Sequence, residues 1–172
     1  MKMTMNMNPE QLARQNIDKQ LQAAGWVVQK YKEYNPSAGQ GIAVAEYPTD
    51  SGPADYILFI NRKPVGVIEA KPAGTILTPV EEQAERYATS SLKWFVEKVP
   101  LRFIYQSTGD ETRFTDINDP APRARSIFTF QKVDTLARWL SEEKNPPCQI
   151  FRYTASPHGR VKRLPIPSHF KS

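Results

Sequence analysis

The sequence has little cysteine and no long apolar run. The single cysteine, Cys148, excludes a disulfide framework within the chain. No stretch reaches the roughly 18 apolar residues of a transmembrane helix, so no membrane association is expected. The polar start "MKMTMNMNPE" lacks the apolar segment of a secretory signal. These absences together favour a reducing, cytoplasmic location.

Acidic residues are absent from the last part of the chain. All 18 of them lie at or before Glu143, whereas residues 145–172 hold five basic residues and several prolines. The net charge of +5 therefore belongs to this tail. The tail either contacts phosphate groups or forms a solvated linker, and we favour the linker. We expect a disordered segment at 1–8, one folded domain at 9–144 and a basic, proline-rich linker at 145–172.

Two helices have clear start signals. Asn8 as N-cap, followed by Pro9, predicts a helix from Pro9 to Ala24 that ends before Gly25. Its predicted buried stripe consists of Leu12, Ile17, Leu21 and Ala24. A capping box of Thr78 and Glu81 predicts a second helix over 78–96. The segment "VDTLARWLSEE" (133–143) predicts a third.

Short runs rich in β-branched and aromatic residues predict strands between these helices. They start at Trp26, at Gly41, on both arms of a hairpin within 54–72, at Leu101 and, as the last strand, at 127–131. A further short strand is possible between 107 and 126. The mixture of helices and strands indicates an α/β fold with a central mixed sheet.

The hairpin segment "ADYILFINRKPVGVIEAKP" brings ionisable groups to its open end. A turn centred on Arg62 predicts three facing pairs: Asp55 with Glu69, Ile57 with Val67, and Phe59 with Val65. Lys71 follows Glu69 by two residues and lies on the same face. A shift of one residue would break this arrangement, so it depends on the loop.

Two facing carboxylates repel each other, and a divalent cation would remove that repulsion. Mg²⁺ or Mn²⁺ suits such oxygen ligands and leaves coordination positions for water and a phosphate. A nearby lysine can then orient water or neutralise a phosphoryl oxygen. The alternative is that these are ordinary solvated surface charges. The apolar neighbours Val67, Ile68 and Ala70 favour a buried site.

These residues resemble a known nuclease signature. In the PD-(D/E)xK superfamily an acid on one strand is followed, on the next strand, by an acid-x-Lys motif, which Asp55, Glu69 and Lys71 match. The segment "QAERY" adds Gln83 and Tyr87, which share a helix face at a spacing of four. This pair resembles the Gln-x-x-x-Tyr motif of RecB-like nucleases.

Over most of its length the chain is similar to the N-terminal nuclease domain of the R subunit of type I restriction-modification enzymes. The similarity includes "ARQNIDKQLQAAGW", "GIAVAEYPTDSGPADYILF" and "RARSIFTF". It implies a restriction-endonuclease-like core (αβββαβ) with a central mixed β-sheet flanked by helices. It also implies an ATP-driven DNA motor in the longer chain. The sequence has no phosphate-binding Gly-x-x-x-x-Gly-Lys loop, so ATP is expected only in that missing motor.

The resemblance also implies site roles. Asp55, Glu69 and the carbonyl of Ala70 would hold Mg²⁺ or Mn²⁺, and Lys71 would position water and stabilise charge. Gln83 and Tyr87 would contact the DNA backbone or orient the site. The implied activity is metal-dependent endonuclease cleavage of double-stranded DNA after translocation. The implied partners are the methyltransferase and specificity subunits.

Two acids and two other functions stay open at this point. Glu10 on the first helix and Glu46 before the hairpin are each either a site acid or a surface acid. The chain could instead be a stand-alone RecB-like repair or recombination nuclease. It could also be a non-catalytic docking module on a nuclease-like fold, although the intact acid-x-Lys pattern argues against that.

Overall fold

The computed structural model describes residues 8–49, 52–77, 101–120 and 122–144. The elements in these ranges are α1 (Pro9–Ala23), β1 (Val27–Lys30), a 3₁₀ turn (Tyr31–Glu33), β2 (Gly41–Thr49), β3 (Gly52–Ile60), β4 (Lys63–Ala70), β5 (Phe103–Ser107), β6 (Thr112–Asp116), β7 (Arg125–Ile127) and α2 (Val133–Lys144). The chain divides into compact units at 1–138 and 139–172, and the whole sheet belongs to the first. The helix predicted over 78–96 and the predicted linker at 145–172 lie outside the described residues.

The seven strands form one mixed sheet whose spatial order follows the chain, from β1 to β7. β1 pairs with β2 and β4 with β5 in parallel, and the other neighbours are antiparallel. This confirms the predicted α/β class with a mixed sheet. β4 is the middle strand, and nearly all of its residues are buried. A side chain at its carboxyl end is therefore enclosed by neighbouring strands.

The apolar runs of β2, β3 and β4 form the core because these strands are covered on both faces. One cluster contains Ile42, Val44, Tyr47, Ala54, Ile57, Phe59, Val67, Leu101 and Ile104. Tyr47 packs edge-on against Tyr31, with ring centroids 5.3 Å apart. This packing fixes the strands that carry the ionisable groups.

Helix α1 begins and ends where the sequence signals predicted. The Asn8 side chain accepts a hydrogen bond from the Glu10 amide, and Gly25 follows the helix at a φ of 88°. Ile17, Leu21 and Ala24 are buried as predicted, but Leu12 is 44% exposed, which contradicts the prediction. Ala13 is buried in its place, because residues 13, 17 and 21 follow a spacing of four along one face.

The hairpin between β3 and β4 closes with a tighter turn than the sequence suggested. Asn61 and Arg62 both have positive φ, as in a two-residue type I′ turn. Ile57 pairs with Val67 as predicted, but Phe59 pairs with Pro64, so the predicted pairing with Val65 is wrong. The register shifts between Leu58 and Phe59. One extra residue on β4 compensates for the shorter turn and restores the predicted register towards the open end.

The last strand lies earlier than predicted. β7 covers Arg125–Ile127 and pairs with β6 from Thr112 to Phe114, whereas 128–131 are not in a strand. Phe128 is fully exposed and Phe130 is buried. Pairing with the available edge of β6, rather than local propensity, decides which residues become the strand. Among the described residues, no helix is both long and apolar enough to cross a membrane.

Candidate active site

The carboxyl end of β4 carries Glu69 and Ala70, and Lys71 follows directly. The Lys71 amide donates to the Ser107 carbonyl at 2.8 Å, which continues the pairing of β4 with β5 past the end of the strand. On the other side, the last registered pair of β3 and β4 is Tyr56 with Ile68. Asp55 is the next residue of β3, and so it lies at the same edge of the sheet as Glu69.

Glu69 is a buried carboxylate with a partner on each oxygen. The residue is 5% exposed. Lys71 Nζ lies 2.7 Å from Glu69 Oε1, and Gln106 Nε2 donates to Glu69 Oε2 at 3.3 Å. A buried charge is tolerated only when it is paired and hydrogen-bonded, and both conditions hold here. Lys71 and Gln106 together fix the orientation of this carboxylate.

Asp55 is partly buried and held from two sides. Its Oδ2 accepts a hydrogen bond from the Ala70 amide at 3.0 Å, and its Oδ1 lies 2.5 Å from Arg14 Nη2. Burial raises the pKa of Asp55 above its ordinary value. The Ala70 amide, Arg14 and Lys71 oppose that rise in pKa, whereas the charge of Glu69 adds to it. The geometry therefore brings Asp55, Ala70, Glu69 and Lys71 together.

Sequence reasoning missed Arg14 and Gln106. Arg14 is partly exposed on α1, and only the packing of that helix on the sheet brings its guanidinium to Asp55. Gln106 is the register partner of Glu69 on β5. The one sequence signal for Gln106 is that it is a polar residue within the largely apolar strand segment "RFIYQS", because a buried polar side chain needs a hydrogen-bond partner. The identity of that partner depends on the order of the strands in the sheet.

The structure places only one of the two undecided acids, Glu46 and Glu10, next to the candidate site. Glu46 Oε1 lies 3.2 Å from Arg14 Nη1, so Glu46 joins the edge of the site through Arg14. Glu10 is exposed in the first turn of α1. The predicted DNA-contacting residues Gln83 and Tyr87 lie outside the described residues.

The donor set at this edge fits a hard divalent cation. Carboxylate oxygens of Asp55 and Glu69 and the carbonyl oxygen of Ala70 are the ligand type that Mg²⁺ and Mn²⁺ prefer. In the part of the chain that the structure describes, no group of three His, Cys, Asp or Glu residues has a metal-binding arrangement. The predicted set needs only two such side chains, with waters and substrate oxygens at the other positions.

Comparison with known proteins gives three related findings. The model of a family described as "Type I restriction enzyme EcoKI endonuclease subunit second domain" matches residues 17–136. A curated relative, the type I restriction enzyme EcoKI endonuclease subunit of Escherichia coli (strain K12), is 40% identical over 81 residues. That alignment includes 41% of this chain and 7% of the relative.

A solved structure has a similar fold. It is a fragment described as an HsdR subunit of a type I restriction enzyme from Vibrio vulnificus YJ016, with a TM-score of 0.53 and 24% identity. The match covers 83% of this chain and 27% of that chain. The fold is consequently restriction-endonuclease-like, as predicted. The chain spans a small part of both relatives.

Proposed function

Since the chain belongs to the family of type I restriction enzyme EcoKI endonuclease subunit second domains, we propose that it is the metal-dependent DNA endonuclease domain of an R subunit. Membership in this family agrees with the resemblance found in the sequence. The observation that carries the proposal is the meeting of Asp55, Glu69 and Lys71 at one edge of the sheet. Glu69 is buried and Asp55 is partly buried, whereas ordinary surface acids are solvated.

The proposed chemistry is hydrolysis of a DNA phosphodiester. Mg²⁺ or Mn²⁺, when bound, supplies Lewis-acid stabilisation of the phosphate and a more acidic water. Asp55, Glu69 and the Ala70 carbonyl hold the ion. Lys71 places an ammonium group beside the reacting phosphate and opposes the negative charge that develops on it. Gln83 and Tyr87 are proposed to contact the DNA backbone.

The biological setting is part of the same proposal. The substrate is double-stranded DNA that an ATP-driven motor in the longer chain translocates. The methyltransferase and specificity subunits supply sequence recognition, because contacts to phosphates alone carry no sequence information. We also propose that 9–144 is the nuclease domain and that 145–172 is the linker towards the motor.

Metal titration by calorimetry tests the site directly. The wild-type chain should bind Mn²⁺, and Asp55→Ala and Glu69→Ala should each abolish binding because each removes a ligand. Glu33→Ala removes an exposed acid outside the site and serves as the matched control. Retention of wild-type affinity in Asp55→Ala would refute the proposed site.

Cleavage by the whole complex tests the function. Lys71→Ala in the full-length subunit should abolish DNA cleavage while ATP hydrolysis continues, because the motor is a separate part. If Asp55→Ala and Lys71→Ala complexes both cut DNA at the wild-type rate, the chain is a docking module instead.

A further inference from the structure

Arg14 joins carboxylates from two neighbouring strands. Its Nη2 contacts Asp55 on β3 and its Nη1 contacts Glu46 on β2, at 2.5 and 3.2 Å. A guanidinium presents several donors in a fixed plane, so it can hold two carboxylates at once. The result is a positive charge that already neutralises the first acid of the proposed metal site.

The backbone of Arg14 is held by contacts of α1 with β3 and with the loop between β5 and β6. The Tyr56 hydroxyl donates to Asp18 Oδ1 at 2.8 Å and lies 3.4 Å from the Arg14 carbonyl, which ties α1 to β3. Gln20 Nε2 donates to the Gly109 carbonyl at 2.6 Å and ties the next turn. The Arg14 side chain is 37% exposed. The helix therefore positions the guanidinium at a partly exposed edge of the sheet, where solvent and ions can reach it.

Both oxygens of Asp55 are in use. The Ala70 amide occupies Oδ2, and this contact belongs to the sheet edge itself. Arg14 occupies Oδ1, the oxygen that remains for a metal. Two cations on the same oxygen repel strongly in a partly buried setting. Arg14 and a divalent ion consequently exclude each other at Asp55.

Glu46 already contacts the other terminal nitrogen of the Arg14 guanidinium, and this contact can persist when Arg14 leaves Asp55. Glu46 has a φ of 55°, which is uncommon for a residue other than glycine, asparagine or aspartate. Its side chain is 67% exposed and contacts Arg14 without contributing to the buried pair of Glu69 and Lys71. When Arg14 leaves Asp55, the contact with Glu46 keeps its charge partly neutralised.

We propose that Arg14 is an internal cation that competes with the divalent metal for Asp55 and so lowers the metal affinity of the isolated chain. Glu46 acts on this competition by drawing Arg14 away from Asp55. This inference rests on the proposed function, because the competing ion is the catalytic metal. It assigns an autoinhibitory contact that metal binding, or a phosphate group that attracts the guanidinium, must release.

Calorimetric titration of Mn²⁺ into the chain tests the competition at low ionic strength. Arg14→Gln should bind Mn²⁺ about tenfold more tightly than the wild type, since the competing charge is gone. Arg62→Gln removes the same charge at the closed end of the hairpin and should not change the affinity. An unchanged or weaker affinity in Arg14→Gln would overturn the inference, and a weaker affinity would make Arg14 a positioning residue for Asp55.

Glu46→Gln should change the Mn²⁺ affinity in the opposite direction to Arg14→Gln. It should weaken Mn²⁺ binding in the wild-type background, because Arg14 then pairs with Asp55 alone. In the Arg14→Gln background the same change should have no effect. A persistent loss of affinity there would mean that Glu46 is itself a ligand and would overturn its proposed action through Arg14. Absence of Mn²⁺ binding in both the wild type and Arg14→Gln would refute the proposed function as well, whereas binding in the wild type without a gain in Arg14→Gln refutes this inference alone.

Discussion

Gln106 and Glu69 are register partners on the adjacent parallel strands β5 and β4, and the amide of Gln106 donates to the buried carboxylate of Glu69. This contact satisfies the oxygen of Glu69 that Lys71 does not reach. The acid of the acid-x-Lys motif is therefore oriented by a strand that lies more than thirty residues away in the sequence.

Gln106→Leu should lower the free energy of unfolding by about 1–3 kcal/mol, because a buried carboxylate oxygen loses its donor. Urea unfolding without metal measures the change. In a Glu69→Leu background the same substitution should cost much less, since no buried acceptor remains. Equal costs in both backgrounds would mean that Gln106 acts through packing alone.

Asp55→Asn should raise the thermal unfolding midpoint of the metal-free chain at pH 7 by roughly 2–4 °C. For a chain of this length, that shift corresponds to a gain of about 1 kcal/mol in the free energy of unfolding. Burial raises the pKa of Asp55 in the folded state. The folded form then binds the proton more tightly than the unfolded form, so stability falls as pH rises through the raised pKa. The gain from Asp55→Asn should disappear below about pH 3, under the ordinary pKa of an aspartate, where wild-type Asp55 is protonated in both states. A lower midpoint at pH 7 would contradict this account.

Tyr56→Phe should raise the pKa of Asp18 further. Burial already raises this pKa, and the hydrogen bond from Tyr56 is the main effect that lowers it. Carbon-13 NMR titration of the Asp18 carboxyl measures the shift. The loss of stability should be about 1 kcal/mol above the pKa, where the ionised carboxylate lacks its donor. This loss of stability should be smaller below the pKa of Asp18. A titration curve of Asp18 that Tyr56→Phe leaves unchanged would exclude the hydrogen bond in solution.

Arg62→Gly should stabilise the chain by about 0.5–1 kcal/mol, because glycine adopts the positive φ of this turn without steric cost. Arg62 has a φ of 68° in the two-residue turn. Arg62→Val is the contrasting variant and should destabilise, since a β-branched residue strongly disfavours that region. In urea unfolding, we expect a higher midpoint than the wild type for Arg62→Gly and a lower midpoint for Arg62→Val.

Gly66→Ala should destabilise the chain by about 3 kcal/mol or prevent its folding. A Cβ atom at Gly66 would lie 2.6 Å from the carbonyl oxygen of Phe103, a backbone atom of the paired strand β5. The strands β4 and β5 must then separate three residues before the pair of Glu69 and Gln106. Gly74→Ala places a Cβ in open space and is the comparison, although its φ of 83° adds strain of its own. A Gly66→Ala variant as stable as the wild type would show that β4 and β5 approach less closely than described.

The sequence alone determined several parts of this protein. Asn8, Pro9 and Gly25 set the bounds of α1 because capping acts within one turn of the chain. The apolar runs of β3 and β4 and the ionisable groups after them are likewise local, and they were sufficient to indicate the hairpin and its candidate site. The resemblance carried by Asp55, Glu69 and Lys71 required no contact information.

Only the tertiary structure decided the rest. Whether Leu12 or Ala13 is buried depends on how α1 packs against the sheet, and the position of β7 depends on which part of β6 is free to pair. Arg14 and Asp55 are in contact although they are 41 residues apart in the sequence, and Gln106 and Glu69 are 37 residues apart. Such contacts follow from strand order and helix docking, which are set by burial of the whole core, and no local pattern in the sequence specifies them.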